Sequence, residues 1–587
     1  MARSCSPPSS PNQAIKLRGP PTKENKATNE RISSVLSSSR EDPSYIRDAT
    51  TDDLVNFRKV PDNIPLKVWL IAFTGAAQRF AYYGITVPWQ NYLENPPGNL
   101  LVPGALGLGQ STATTVNNVF LFFGYFATVL FAIISDTWLG RYKTLVISLM
   151  TFTAGGAVLF ATSLPSVMEK ERAALGGFIT ALILLGLGQG GTTAVIFSFL
   201  ADQVSENRPR VIRRGDELVV TDGKLTIQRI FNTFYWMINI AALSTLATTS
   251  LEKHTGFWAA YLLPLAFLST SIVPFIFWNR SLTKLPAQSN VLAHTARIIV
   301  TASESGFHIG AADPSYQSTH KGRSVPWTPT FVQELRRGFR ACRVLLFFII
   351  YYLCFNQSLN NIISQANQME LSGVSNDTVQ SLNAIFYIVL NPIVQFWVLP
   401  FFSRRRIPLG PIVRMTIAFA LLALAMAYAA VVQELIYRTG PCFTRPLACE
   451  AGSILTNDGK TEHRPNEISV WIQTPFYLLV AASEIFGFVA LNEFTYLEAP
   501  ENMKALVKAF EQFTAALGAV LGIALGPVSK DPWLVILYSA LAGTMAVSGA
   551  ILFAVFRKYD AQWYIYKDAE NAEGSSNTDT TTPGDPK

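Results

Sequence analysis

Twelve apolar stretches dominate the sequence. Each is about twenty residues long, the length that crosses a ~30 Å hydrocarbon layer as a helix. They fall at about 67–92, 113–135, 143–164, 173–200, 228–250, 257–278, 342–364, 379–402, 409–433, 468–491, 504–527 and 532–556. A backbone in lipid has no water to satisfy its polar groups, so runs of this length predict spanning helices. Composition agrees. Of 587 residues, 49% are hydrophobic and 15% charged, where a soluble domain is about 25% charged, and the mean hydropathy is +0.26. The expectation is an all-α, multi-pass membrane protein held in lipid. The net charge of +7 is modest and its basic residues cluster between apolar runs. That suits a membrane surface rather than nucleic acid.

The polar segments set the organisation. Residues 1–64 are rich in Ser, Pro and Lys and read as a disordered cytoplasmic tail; residues 557–587 read as a cytoplasmic C-terminal tail, disordered at 568–587. No basic-then-apolar stretch opens the chain, so the first span is expected to act as insertion signal. The longest internal break, 279–341, separates a six-helix bundle at 65–278 from another at 342–556. Within it, 290–302 and 330–344 have the pattern of amphipathic surface helices. Basic clusters follow even-numbered spans: "GRYK" (140–143), "RPRVIRR" (208–214) and "SRRR" (403–406). The connections at 93–112 and between spans 7 and 8 contain no Lys or Arg. The positive-inside rule therefore predicts both termini in the cytoplasm. The loop between spans 9 and 10 then faces outside or into a lumen. It holds Cys442 and Cys449, which are expected to bridge on the oxidising side, two free thiols being the alternative. Cys5, Cys342 and Cys354 are expected to be unpaired.

Two short stretches carry charge where charge is costly. "TGAAQRFAYYG" (74–84) places Arg79 in the first span with no acid within five residues. An unpaired charge at mid-membrane costs at least ~2.5–3.5 kcal/mol on insertion scales, so intramembrane charges are functional by default. On a helix Arg79, Tyr82 and Tyr83 share one face. "SDTWLGRYKT" (135–144) sets Asp136 and Arg141 in a tight turn between two spans. Such a turn can hold one face of a rocking transporter closed. Gly-rich "GLGQGG" (186–191) lacks a preceding strand and a following G-K-S/T, so it reads as close helix packing rather than a phosphate loop. No zinc-ligand spacing, catalytic triad or Walker motif is present. The chain is expected to be no enzyme and to hold neither metal nor cofactor, protons as coupling ion aside.

"SDTWLGRYKT" resembles the loop motif of the proton-dependent oligopeptide transporter (POT/PTR) family. "FYWMINIAAL" (234–243) resembles its helix 5 signature, "GLGQGGTTAVIFSFLADQ" (186–203) its helix 4, and "NNIISQANQM" (360–369) helix 7 of fungal members. "SVWIQTPFYLLVAASEIFGF" (469–488) resembles helix 10, and "APENMKALVKAF" (499–510) the start of helix 11. The resemblance implies a major facilitator fold of twelve helices in two six-helix halves. It also implies proton-driven import of di- and tripeptides by alternating access. On this likeness the substrate site comprises Arg79, Tyr82, Tyr83, Tyr125, Asn239, Asn383 and Glu484. Gln357 joins them from a polar stripe of Gln357, Asn361, Ser364, Gln365 and Gln368, which either lines the cavity or packs against neighbouring helices.

The sequence also departs from that family. Its helix 1 motif, E-x-x-E-R-F-x-Y-Y-G, reads here with Gly75 and Gln78 in place of both glutamates. The helix 4 lysine position is Thr193, the helix 2 histidine of animal members is Asn118, and a helix 7 position acidic in bacterial members is Asn356. None of these titrates, whereas proton coupling needs groups that do. Coupling, if present, is expected to run through Glu484, with Glu511 either a second site or a residue reaching the cytoplasmic surface. Glu484 is also the expected partner of Arg79 when no substrate carboxylate is there. A small peptide or related zwitterion is the expected substrate. An uncoupled facilitator, a carrier of nitrate or a secondary metabolite, and a non-transporting nutrient sensor stay open. The protein is expected to be a monomer of the plasma membrane, with the vacuolar membrane as alternative.

Overall fold

The computed structural model describes residues 47–560, with interruptions of at most six residues. Residues 1–46 and 561–587 of the expected tails, Cys5, linker residues 285–290 and residues 499–503 before helix 11 lie outside the described residues.

The first helix, α1 (Leu66–Thr86), follows the extended Pro65 and gives way at Val87 and Pro88 to a short helix, Trp89–Glu94. Gln78 and Arg79 lower its apolarity. Among the described residues eleven further helices are long and apolar enough to cross a membrane. They are α2 (Gln110–Leu139), α3 (Arg141–Thr162), α4 (Arg172–Asp202), α5 (Leu225–His254), α6 (Phe257–Ser281), α7 (Cys342–Asn367), α8 (Thr378–Phe402), α9 (Pro411–Arg438), α10 (Val470–Thr495), α11 (Val507–Ala524) and α12 (Leu534–Phe556). Large apolar side chains such as Phe277, Phe396, Trp397 and Phe401 project from the surface. In water so much apolar surface would be a liability, whereas in lipid it is the expected exterior.

Buried apolar residues gather in two main clusters. One draws on residues 68–282, the other on residues 342–556. Each six-helix half therefore has its own core, and what lies between the halves is left to polar and aromatic side chains. Glycines set the closest approaches within the first half. A Cβ on Gly188 of α4 would lie 2.6 Å from the Phe152 backbone nitrogen on α3, and one on Gly190 would lie 2.6 Å from the Ala127 Cβ on α2. The Gly-rich segment is thus a packing surface.

Between the two halves, Val291–Ser303, Pro314–Lys321 and Pro329–Leu345 are helical, close to the two amphipathic segments predicted there. Ile298, Ala312, Trp327, Val332 and Leu335 form a small core of their own.

A separate unit contains a four-stranded sheet, formed by β1 (Arg47–Asp48), β2 (Lys59–Val60), β3 (Arg210–Arg214) and β4 (Glu217–Thr221) in the order β1-β3-β4-β2. β3 and β4 pair antiparallel from Val211 opposite Val220 to Arg214 opposite Glu217. Sequence reading had placed a disordered tail and a bare basic connection here. Two five-residue runs rich in β-branched residues (Val211 and Ile212; Val219, Val220 and Thr221) form a hairpin instead, and residues from the expected tail pair with both of its edges. Phe57 packs on the buried Val211, Leu218 and Val220.

Candidate functional site

A cavity of about 360 Å³ lies between the two six-helix halves. From α1, Arg79, Tyr82 and Tyr83 reach it together, as their i, i+3, i+4 spacing requires. Tyr125 of α2 and Asn239 of α5 complete the expected contribution of the first half, while Asn383 of α8 and Glu484 of α10 come from the second. Seven of the eight expected substrate-site residues therefore line one space.

Arg79 sits in a neutral environment. Its Nη2 donates to Thr193 Oγ1 on α4 at 3.1 Å, and its guanidinium lies 5.9 Å from the Tyr82 ring centroid. Among the described residues no carboxylate lies within ion-pairing distance of it. The expected direct pairing with Glu484 is therefore not formed. Gln78, fully buried, donates to Gln189 Oε1 at 2.5 Å, and Gln189 donates to Thr193 Oγ1 at 3.3 Å. A ladder of neutral groups thus stands where the resemblance would put two glutamates and a lysine. Gly75 has no room for a longer side chain, because a Cβ there would lie 2.9 Å from the Phe234 ring.

Glu484 faces the same cavity and accepts from Asn383 Nδ2 at 2.6 Å. Its neighbour Ser483 donates to the Ala418 carbonyl at 2.8 Å and shares a hydrogen bond with Tyr351 at 2.8 Å. These bonds fix the rotation of α10 about its axis, which turns Glu484 inward. Tyr235 and Tyr387 also line the cavity, their rings meeting across the halves at 6.2 Å. Sequence reasoning missed both. They lie one turn from Asn239 and Asn383 respectively, a spacing that would have found them.

A family model described as "PTR2: POT family" matches residues 142–538. "Peptide transporter PTR_A" of Candidozyma auris is 38% identical over 516 residues, covering 88% of this chain and 85% of that protein. "Peptide transporter PTR2" of Saccharomyces cerevisiae is 36% identical over 526 residues, covering 89% and 84%. The chain belongs to the POT family. In fold it is similar to an auto-inhibited POT family peptide transporter, with a TM-score of 0.65 at 18% identity, covering 84% of this chain and 97% of that one. It is equally similar to the POT family transporter PepTSo, with a TM-score of 0.65 at 19% identity, covering 85% and 99%. The architecture is therefore the major facilitator fold.

Other expected site residues lie elsewhere in this POT chain. Gln357 is buried but does not line the cavity: it donates to the Leu353 carbonyl at 3.2 Å and accepts from Asn361 at 2.7 Å. The remainder of its stripe also serves contacts between helices. Asn361 accepts from Thr114 of α2, Ser364 donates to Glu94, and Gln365 donates to Gln433 of α9. Glu511 is buried rather than at the surface, and pairs with Lys508 one turn away at 2.8 Å. Arg141 pairs with Asp202 at the end of α4, while Asp136, half-buried, is not its ion-pair partner. That pair joins α3 to α4 inside one half. Cys442 and Cys449 are bonded, and Cys342 and Cys354 are free and buried.

The halves are also hydrogen-bonded to each other at the membrane face opposite the Arg141 turn. Asn91 and Asn376 exchange hydrogen bonds at 2.8 and 2.7 Å. Thr245 bonds to Ser381 at 2.7 Å and Thr249 to Thr378 at 2.8 Å. Lys253 donates to the carbonyls of Gly373 and Val374 at 2.6 and 2.9 Å. The cavity is therefore sealed on the face that carries the disulfide loop.

Proposed function

We propose that this protein carries small peptides across a membrane by alternating access, with the cavity between the two six-helix halves as the substrate site. One observation carries the reading. Among the described residues, a guanidinium without a carboxylate partner and a carboxylate with a single donor face the same space from opposite halves. Arg79 offers a fork that matches a terminal carboxylate, and Glu484 can receive an ammonium. Tyrosine hydroxyls and the amides of Asn239 and Asn383 suit the peptide group between them. A site of about 360 Å³ lies within the range of small-molecule pockets. The relatives named as peptide transporters support the same substrate class.

The orientation that fits is cytoplasmic at both termini, supported by the basic turns and by a disulfide on the opposite face. The sealed face is then the outer one, and the structure represents a state closed to the outside. Coupling does not run through α1 and α4, whose ladder of Gln78, Gln189 and Thr193 contains nothing that titrates.

Uptake of labelled dipeptide into proteoliposomes, with and without an inward proton gradient, tests both parts. Accumulation above equilibrium that Glu484→Gln reduces to uptake that only equilibrates assigns coupling to Glu484. Uptake that only equilibrates marks a facilitator. Absence of uptake for every di- and tripeptide tried would overturn the peptide reading.

A further inference from the structure

At the sealed face two carboxyls meet. Glu252, at the end of α5, and Asp377, immediately before α8, are brought side by side across the two halves: Asn91 bonds both Glu252 and Asn376, the neighbour of Asp377, and Thr249 bonds Thr378. Both are buried, Asp377 completely. Glu252 Oε1 accepts from Asn91 Nδ2 at 3.0 Å. Glu252 Oε2 and both Asp377 oxygens have no donor in hydrogen-bonding geometry. The Ser375 hydroxyl and the amides of Asp377 and Thr378 lie beside the Asp377 carboxyl in poorer geometry.

Two carboxyls can join only through a proton. Both ionised, they would set two negative charges in contact, out of water, with too few donors. Among the described residues the surroundings supply no cation to relieve this. Lys253 is turned to the carbonyls of Gly373 and Val374. His254 is exposed beyond the pair. Tyr261 of α6 and Tyr477 of α10 approach as buried phenols, which are uncharged near pH 7 with an ordinary value of about 10. Burial pushes the Asp377 carboxyl above its ordinary range, the direction in which a proton is retained.

We propose that Glu252 and Asp377 together bind one proton, in a site that exists only while the outer ends of the two halves are joined. The inference rests on the alternating-access reading above. When the outer face opens, the carboxyls separate into water and both ionise near their ordinary values of about 4. Closing the outer face then takes up a proton, so acid outside favours the closed state. This places a proton-linked element in a seam between the halves, away from the neutral α1–α4 ladder.

The test uses the full-length chain in nanodiscs. Cys5 is replaced by Ser, and spin labels are set at the exposed positions Thr255 and Ser372, on either side of the pair. Pulsed electron resonance reads a short, closed distance and a long, open one. The closed-to-open ratio is expected to rise as pH falls from about 8 to about 5, by up to tenfold per pH unit for one linked proton. Glu252→Gln and Asp377→Asn can each bond the remaining carboxyl without borrowing a proton. Each is expected to flatten the pH response and raise the closed fraction at the alkaline end. Since the two variants are read separately, one that fails to fold leaves the other informative. A wild-type ratio that does not change with pH overturns the proposal, as does a wild-type slope kept in either variant, which would assign the response to His254 or another group. No substrate enters this readout. A flat response with normal dipeptide uptake removes the proton site alone, whereas a pH-linked closure without uptake removes the peptide reading alone.

Discussion

Replacing Arg79 by Gln separates recognition of a carboxylate from everything else the side chain does. The shorter amide keeps a donor near Thr193, which holds Arg79 at 3.1 Å, and it removes the charge. Since Arg79 has no ion-pair partner among the described residues, its loss leaves no buried carboxylate stranded, and the fold should survive. A hydrogen bond to a charged group contributes about 1.5–3 kcal/mol. At about 1.4 kcal/mol per tenfold, wild type should prefer a dipeptide over its C-terminal amide by about 10- to 150-fold in kcat/KM. In Arg79→Gln the preference should fall to nearly one, through loss of the free-acid substrate with little change for the amide. The assay is competition of the two compounds against one labelled peptide in the same proteoliposomes, so expression and folding cancel. If Arg79→Gln keeps the wild-type preference, the substrate carboxylate is bound elsewhere and the cavity reading is wrong at its centre.

Three further outcomes follow from other contacts. Gly188→Ala should lower stability by about 1–3 kcal/mol because its Cβ would meet the Phe152 backbone, while Gly176→Ala on the same helix, with open space around it, should not; thermal unfolding in detergent compares the two. Cys442→Ser opens a loop whose closure contributes about 2.5 kcal/mol in the chain-entropy estimate, so the variant should melt earlier and wild type should match it under reductant. Gln78→Glu sets a carboxylate into the ladder that contains Thr193 and Arg79; it should draw on the guanidinium and raise KM for dipeptides about tenfold or more, on the scale of one charged hydrogen bond, whereas an unchanged KM would show that the ladder does not govern how Arg79 meets substrate.

Much of the site was legible because it is local. Arg79, Tyr82 and Tyr83 share a face by helical spacing alone, and they reach one cavity. The same rule failed at Gln357 for a physical reason. The helix tightens at Gln357–Leu359, and Asn360 leaves helical geometry at φ −130° and ψ −93°. A stripe drawn through that break assumes a register the backbone does not keep. Partners distant in sequence were equally out of reach. Arg141 binds Asp202 rather than the nearby Asp136, and Glu252 meets Asp377 only because two helix ends from different halves converge. Lys508 beside Glu511 was the opposite case, since an i, i+3 pair is visible in sequence. The strand pairing of residues 47–48 and 59–60 with the 210–221 hairpin had only short runs to announce it.

The charges facing the cavity also discriminate between substrates. When the two halves close around a ligand, water leaves and each remaining charge must be compensated, at a cost of several kcal/mol for an ion left alone. A peptide zwitterion meets both demands at once, with its carboxylate at Arg79 and its ammonium at Glu484. A simple anion such as nitrate meets only the first. It leaves Glu484 with the single donor of Asn383, so Glu484 must take a proton before the cavity can close. Nitrate carriage is therefore the reading that requires coupling through Glu484, and dipeptide carriage is the one that does not. Glu484→Gln separates them: it should relieve an anion carrier of its proton requirement, and it should cost a peptide carrier its grip on the amino terminus.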